Sequence, residues 1–267
     1  MTRVRLEVCV DTREGLEVAV ASGADRIELC SCLNVGGLTP SPGLMRVAAG
    51  LPCLTRVILR PREGGFVYTA AEIEMILYEI DAVAELGLEG VALGANRPSG
   101  ELDESVLRRL IDHARGAGLK TTLHRSFDLA PDLKGALWTA RDLGVNSILT
   151  SGGARDALTG VEVVSDLVIA AQTPGPPIDL MAGVGVGSKN VREIVERTGI
   201  NWVHGSCSQP RTAAPTDPLH LGLSSVEHRS TSGLEITRVL SVLSVLSAIA
   251  ESHGVHTPEM LPGSVVG

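Results

Sequence analysis

The stretch RLEVCVDTREG, Arg5 to Gly15, decides the fold. It opens as a strand. RLEVCV puts Leu6 and Val8 on one face and Glu7 and Cys9 on the other, the two-residue alternation of a half-buried β-strand. It then turns into a helix: DTRE has the spacing of a capping box, Asp11 to Glu14, and Gly23 ends the helix. An open doubly wound sheet places a glycine-rich phosphate turn at this first strand-to-helix junction. CVDTREG is not that fingerprint.

The same strand-then-helix unit recurs along the chain. Strands are expected at RIELC (Arg26–Cys30), LTRVILR (Leu54–Arg60), GVALGA (Gly90–Ala95), KTTLHRS (Lys120–Ser126), SILTSG (Ser147–Gly152), DLMAGVG (Asp179–Gly185) and WVHGSC (Trp202–Cys207). Between them helices are expected near Pro42–Ala49, after the Thr69/Glu72 capping box, along Leu107, Leu110, Ile111 and Ala114, after Pro131, from Asp156 to Ala171 and after Ser188. A long loop, Ser208 to Thr231, precedes a last helix that starts at Ser232. Alternating strands and helices with no interposed linker predict an α/β fold, a single (β/α)8 TIM-type barrel over residues 1–253 with a loose tail over 254–267. Closure gives every strand two neighbours and leaves no edge.

Composition narrows the function. Hydrophobic residues make up 44% of the 267 and aromatics 2%, so the core is aliphatic. A net charge of −8 opposes binding to nucleic acid. No apolar run is long enough to span a bilayer, and the N-terminus runs straight into a strand without a signal-peptide pattern. The cysteines (Cys9, Cys30, Cys32, Cys53, Cys207) are odd in number and form no framework. A cytoplasmic protein with free thiols is expected, with neither a membrane nor a nucleic acid as partner. A Schiff-base aldolase is disfavoured, because it needs a lysine at a C-terminal strand end inside the barrel. Lys120 starts its strand, and Lys134 and Lys189 fall in helices.

Alternation also predicts a polar interior. Glu7, Arg26, Glu28, Arg56, Arg60, His124 and His204 face inward, where unpaired charge is costly. For Glu7, Arg26 and Arg56 an ion-pair network that closes the barrel is one reading. Glu28, Cys30, Arg60, His124, Ser151, Gly183 and His204 lie at the C-terminal strand ends, where barrel active sites form. A catalytic set of Glu28, Arg60, His124, Asp128 and His204 follows, with Glu28 or His124 as acid/base and Arg60 as anion clamp. Asp128 could orient a base, but its first reading is a cap on the next helix. Arg60 and Arg62 around a proline, and the glycine-rich runs TSGG, AGVGVGSKN and HGS, point to an anion seat of Arg60, Arg62, Ser151, Gly152, Gly183, Gly185 and Ser206; an internal salt bridge to Glu28 is the plain alternative for the arginines, and tight turns for the glycines. The substrate is then a small phosphorylated or carboxylated metabolite undergoing isomerisation, epimerisation or a lyase step. A different chemistry comes from Cys9 and Cys30, which end adjacent strands and offer soft ligands for Cu(I). Buried cysteines also serve as small hydrophobes.

The motifs LEVCVDT, GADRIELCSCLNVGGLTPS, RPR, LHRSFD, LTSGG, MAGVGV and HGS, in this order, resemble the CutC copper homeostasis family over about residues 6 to 250. The resemblance implies a TIM-type barrel, a cytoplasmic location, self-association as a dimer or higher oligomer, and a role in copper tolerance. It implies Cu(I) bound at Cys9 and Cys30, and rim residues at Glu28, Arg60, Arg62, His124, Arg125, Asp128 and His204. The chain departs from the family at RPREGGF, where the usual pattern is RPRGGDF: the acidic residue is Glu63, and Gly65 stands where the family has aspartate. Cys32 and Cys207 are not general family features.

Overall fold

The protein is described by a computed structural model covering residues 3–211 and 228–253. Eight parallel strands close in sequence order into a barrel: β1 (Arg5–Val10), β2 (Arg26–Leu29), β3 (Thr55–Ile58), β4 (Gly90–Leu93), β5 (Lys120–Leu123), β6 (Ser147–Thr150), β7 (Asp179–Ala182) and β8 (Trp202–Gly205). The seam pairs β1 with β8, placing Glu7 beside His204. Helices surround the barrel: α1 (Arg13–Ala21), α2 (Pro42–Ala49), α3 (Ala70–Glu85), α4 (Glu104–Gly116), α5 (Leu133–Leu143), α6 (Val161–Ala171), α7 (Val191–Thr198) and α8 (Gly233–His253). A hairpin of β9 (Ser208–Arg211) and β10 (His228–Thr231) stands within the expected long loop after β8. The expected tail over 254–267 lies outside the described residues. Among the described residues no helix is long and apolar enough to cross a membrane.

The main core lies between sheet and helices. Val8, Ile27, Leu29, Val57, Val91 and Val203 face outward from the strands, and Leu16, Ile76, Ile80, Leu107, Leu110 and Ile194 meet them from the helices. The helix faces follow the apolar spacing: Leu107, Leu110, Ile111 and Ala114 of α4 are all buried. The Thr69/Glu72 capping box is present at α3.

Several boundaries differ from the expected ones, for local reasons. At α1 the cap is Thr12, whose hydroxyl accepts from the Gly15 amide, while Asp11 instead accepts from the Leu33 amide. β5 stops at Leu123, and His124 leads into a 3-10 turn. α6 starts at Val161, since Asp156 closes its own turn by accepting from the Thr159 amide. α7 starts at Val191 rather than at Ser188, whose amide and hydroxyl both donate to Glu235.

Inside the barrel the floor is charged. Arg26 donates to the Glu7 carboxylate and lies over the Trp202 ring, 4.1 Å from its centroid. Arg56 binds Glu89 through Nε at 2.7 Å and Nη2 at 3.0 Å, and donates to Thr122 at 2.6 Å and to Ser147. Each arginine thus joins strands that are distant in sequence. Burial alone would raise the Glu7 carboxyl, but Arg26 and His204 outweigh it and hold the group at about 2.

Two outcomes follow. Arg56→Ala leaves Glu89, Thr122 and Ser147 without their donor, and should lower unfolding free energy by about 3–5 kcal/mol; urea denaturation showing less than about 1 kcal/mol would contradict a structural role. The depressed Glu7 carboxyl stabilises the fold fully above the ordinary carboxylate pKa of 4.5, and that contribution is lost as pH falls toward about 2. It is on the order of 3 kcal/mol. Stability measured against pH should therefore slope more steeply across this window in wild type than in Glu7→Gln; equal slopes would refute the assignment.

Candidate functional site

The C-terminal strand ends open into a cavity of about 1230 Å³. Its walls include Cys9, Glu28 and His204, delivered by strand alternation from β1, β2 and β8, and Arg60 and His124, which follow the ends of β3 and β5. Three groups of side chains define it.

The first group straddles the seam. One donor atom each of Cys9, Glu28 and His204 lie within 4.8 Å of one another, and all three residues are buried. Glu7 Oε1 accepts from His204 Nδ1 at 2.8 Å, which fixes the ring and turns Nε2 toward Glu28 Oε2 at 3.7 Å. Burial opposes charge on His204, but Cys9, Glu28 and Glu7 outweigh it and push the imidazole well above its ordinary value. Burial raises the Glu28 carboxyl, aided by Glu7 and opposed by His204. Cys30 sits behind: its thiol donates to Glu28 Oε2 at 3.6 Å, it is fully buried, and it does not line the cavity. Burial and the neighbouring Glu28 push that thiol well up.

The second group lies opposite, around β3 and β5. The Arg60 guanidinium donates through Nη1 to the carbonyls of Val35 (2.8 Å) and Gly37 (3.1 Å), and through Nη2 to that of Gly64 (2.8 Å). His124 Nδ1 accepts from the Ser126 amide at 3.2 Å. Burial and the Arg60 charge lower His124 to about 3, so the ring is neutral, and Nε2 carries its proton. Gly94 makes room for this ring, since a Cβ there would stand 2.6 Å from His124 Cε1. Phe66 packs on both residues, 4.7 Å from the His124 ring centroid and 5.2 Å from Arg60 Cζ.

The third group is the glycine-rich rim, where internal side chains take several of the backbone amides. Asp128 accepts from the amides of Ser151 and Gly153 and from the hydroxyls of Thr150 and Ser151, and Arg125 binds it at 2.9 Å. The Gly152 amide donates to Thr150. Glu235 takes the Ser188 amide, as described above, and Asn190 takes the Gly187 amide. Val184, in the loop after β7, has φ 77, a left-handed conformation that is strained for a β-branched residue. Cys207 has φ 44.

Of the residues singled out in the sequence, the structure gathers Cys9, Glu28, Arg60, His124, Asp128, Gly185, His204 and Ser206 around the cavity. Arg62, Ser151, Gly152 and Gly183 do not line it; Arg62 is bound to Glu72 and to the carbonyls of Gly65 and Val67. Sequence reasoning missed Phe66 and Glu235, and it left Glu7 out of the candidate site. The signal for Glu7 was present: barrel closure makes β1 and β8 neighbours, and both Glu7 and His204 face inward.

A family model described as the CutC family matches residues 4–209. A CutC family protein of Sinorhizobium medicae is 46% identical over 250 residues, spanning 94% of this chain and 100% of the relative. One of Caulobacter vibrioides is 46% identical over 246 residues, 91% of this chain and 98% of the relative. The solved structure of CutC from Streptococcus agalactiae, described as a copper homeostasis protein, is 28% identical with a TM-score of 0.71, covering 76% of this chain and 98% of that one. The phosphoribosyl anthranilate isomerase of Thermotoga maritima, 16% identical with a TM-score of 0.54 over 91% of this chain and 99% of that one, shares the fold alone. With the barrel and its seam in view, these matches establish that the chain belongs to the CutC family.

Proposed function

We propose that this protein serves copper homeostasis by holding Cu(I) at the barrel mouth. The supporting observation is the convergence of Cys9, His204 and Glu28 donor atoms within 4.8 Å on the wall of an open cavity. A thiolate and an imidazole are ligands that suit Cu(I). Cys9 supplies the thiol that lines the cavity and His204 Nε2 the nitrogen. Cys30 adds the second thiol once its proton leaves and its bond to Glu28 breaks. Glu7 acts behind the site by orienting His204, as outer carboxylates do for metal-bound imidazoles. The cargo is copper, as in the name of the Streptococcus agalactiae relative.

The location that fits this role is the cytoplasm, because all five cysteines are free. Self-association as a dimer or higher oligomer belongs to the same reading. Met75 and Tyr78, exposed one helical turn apart on α3, offer an apolar surface for it.

A second reading rests on Glu28. Its carboxyl, raised by burial and standing on the cavity wall, suits an acid/base in a barrel enzyme of isomerase, epimerase or lyase type acting on a small phosphorylated or carboxylated metabolite. His204 and Asp128 stand at the same mouth, and Arg60 is the clamp in that scheme.

Anaerobic Cu(I) titration against a competing chelator tests the copper reading. Wild type should bind stoichiometrically, and Cys9→Ser/Cys30→Ser should lose tight binding. Glu7→Gln should weaken binding by roughly 10- to 100-fold without removing a ligand. Wild-type affinity in the double cysteine variant would sink the cysteine site. Binding should also tighten and release protons as pH rises, since thiol and imidazole must both deprotonate to coordinate.

A further inference from the structure

Arg60 is a buried cation without a counter-ion among the described residues. It is 8% exposed, and among the described residues no carboxylate lies within ion-pair distance of it. Its named partners are three backbone carbonyls, two on Nη1 and one on Nη2, and Nε is buried with no partner. The Nε–H on the side of the planar fork is therefore an unfilled donor. His124 is 4% exposed, and its Nε2 is likewise buried with no partner. Its Nδ1 is occupied by the Ser126 amide, so Nε2 is the donor nitrogen. Orphaned buried donors are rare, and each is destabilising until an acceptor arrives. Two of them, one cationic, share a cavity wall against one Phe66 ring.

We infer that Arg60 and His124 form the binding site for the carboxylate of a small organic acid, which enters the cavity from the strand ends. A carboxylate offers two in-plane oxygens that match the side-on edge of a guanidinium, and it presents an acceptor to a neutral imidazole N–H. Burial and the Arg60 charge keep His124 unprotonated, so the site carries one positive charge and balances one carboxylate. A phosphate dianion would leave excess negative charge in a buried setting. Elsewhere on the rim Asp128 already takes the Ser151 and Gly153 amides, and Glu235 takes that of Ser188. Phe66, half-buried in the loop after β3, covers the pair and must shift as the ligand seats. This site goes beyond copper binding, using neither Cys9 nor Cys30. It also gives the enzyme reading a substrate class.

Isothermal titration of the full chain, freed of metal, tests it with three probes: succinate, its neutral diamide succinamide, and inorganic phosphate. Succinate should saturate at millimolar concentration or below, with succinamide and phosphate each weaker by roughly 10-fold or more. Arg60→Lys keeps the charge but lacks the planar edge, and should weaken succinate by a similar factor. His124→Phe keeps the ring packing and removes the donor, with the same expected direction. Cys9→Ser/Cys30→Ser should bind succinate as wild type does, which separates this site from the copper reading. Phosphate binding as tightly as succinate would overturn the carboxylate assignment. Unsaturable succinate, or equal affinity in both Arg60→Lys and His124→Phe, would overturn the site.

Discussion

Glu7 holds a buried negative charge between two cations, Arg26 and His204, and the barrel depends on that arrangement. It stands on β1, the strand at which the sheet closes on itself, and its partners come from β2 on one side and β8 on the other. One carboxylate thus ties both flanks of the seam. A barrel poor in aromatic bulk has to fill its interior with something, and here the filling includes charge. Such filling is stable only when every charge is met. The same contact sets the chemistry above it, because the nitrogen that Glu7 takes decides which nitrogen His204 presents to Cys9 and Glu28. Fold and site share one carboxylate, so the seam cannot be repacked with apolar groups without disarming the mouth.

Much of the barrel was legible in the chain. The two-residue alternation in RLEVCV and RIELC placed Glu7, Cys9, Arg26 and Glu28 inside correctly, because one face of each strand must meet apolar helices. The Thr69/Glu72 cap was legible because it is made wholly within four residues. Asp11 and Ser188 were not. Each has the chemistry of a helix cap, but each is claimed by a group far along the chain, the Leu33 amide and Glu235. Local spacing cannot report such a competitor.

The glycine runs show the same limit at the level of the site. TSGG and AGVGVGSKN are cradles of N–H groups, and sequence alone leaves the identity of the anion open. The fold supplies Asp128 to the Ser151 and Gly153 amides and Glu235 to that of Ser188. Arg60 is the converse. Its neighbour Glu28 suggested an internal salt bridge, yet Glu28 is turned to His204 and Cys30, and Arg60 is left with carbonyls. Which charges remain unanswered is a property of three-dimensional proximity, not of local spacing.

The stacking of Arg26 on Trp202 gives the molecule a built-in optical probe. The chain has two tryptophans, and Trp138 is exposed on α5 while Trp202 is enclosed in the barrel floor. Their emission separates by environment, so the blue-shifted component reports the floor alone. A guanidinium held 4.1 Å from the indole centroid also perturbs the excited state, and any event that pulls Arg26 from the ring registers in the signal. A ligand bound at His204 would act on Glu7, and Glu7 on Arg26. The fluorescence of a single buried indole therefore gives a label-free view, from the closed end of the barrel, of what happens at its open end.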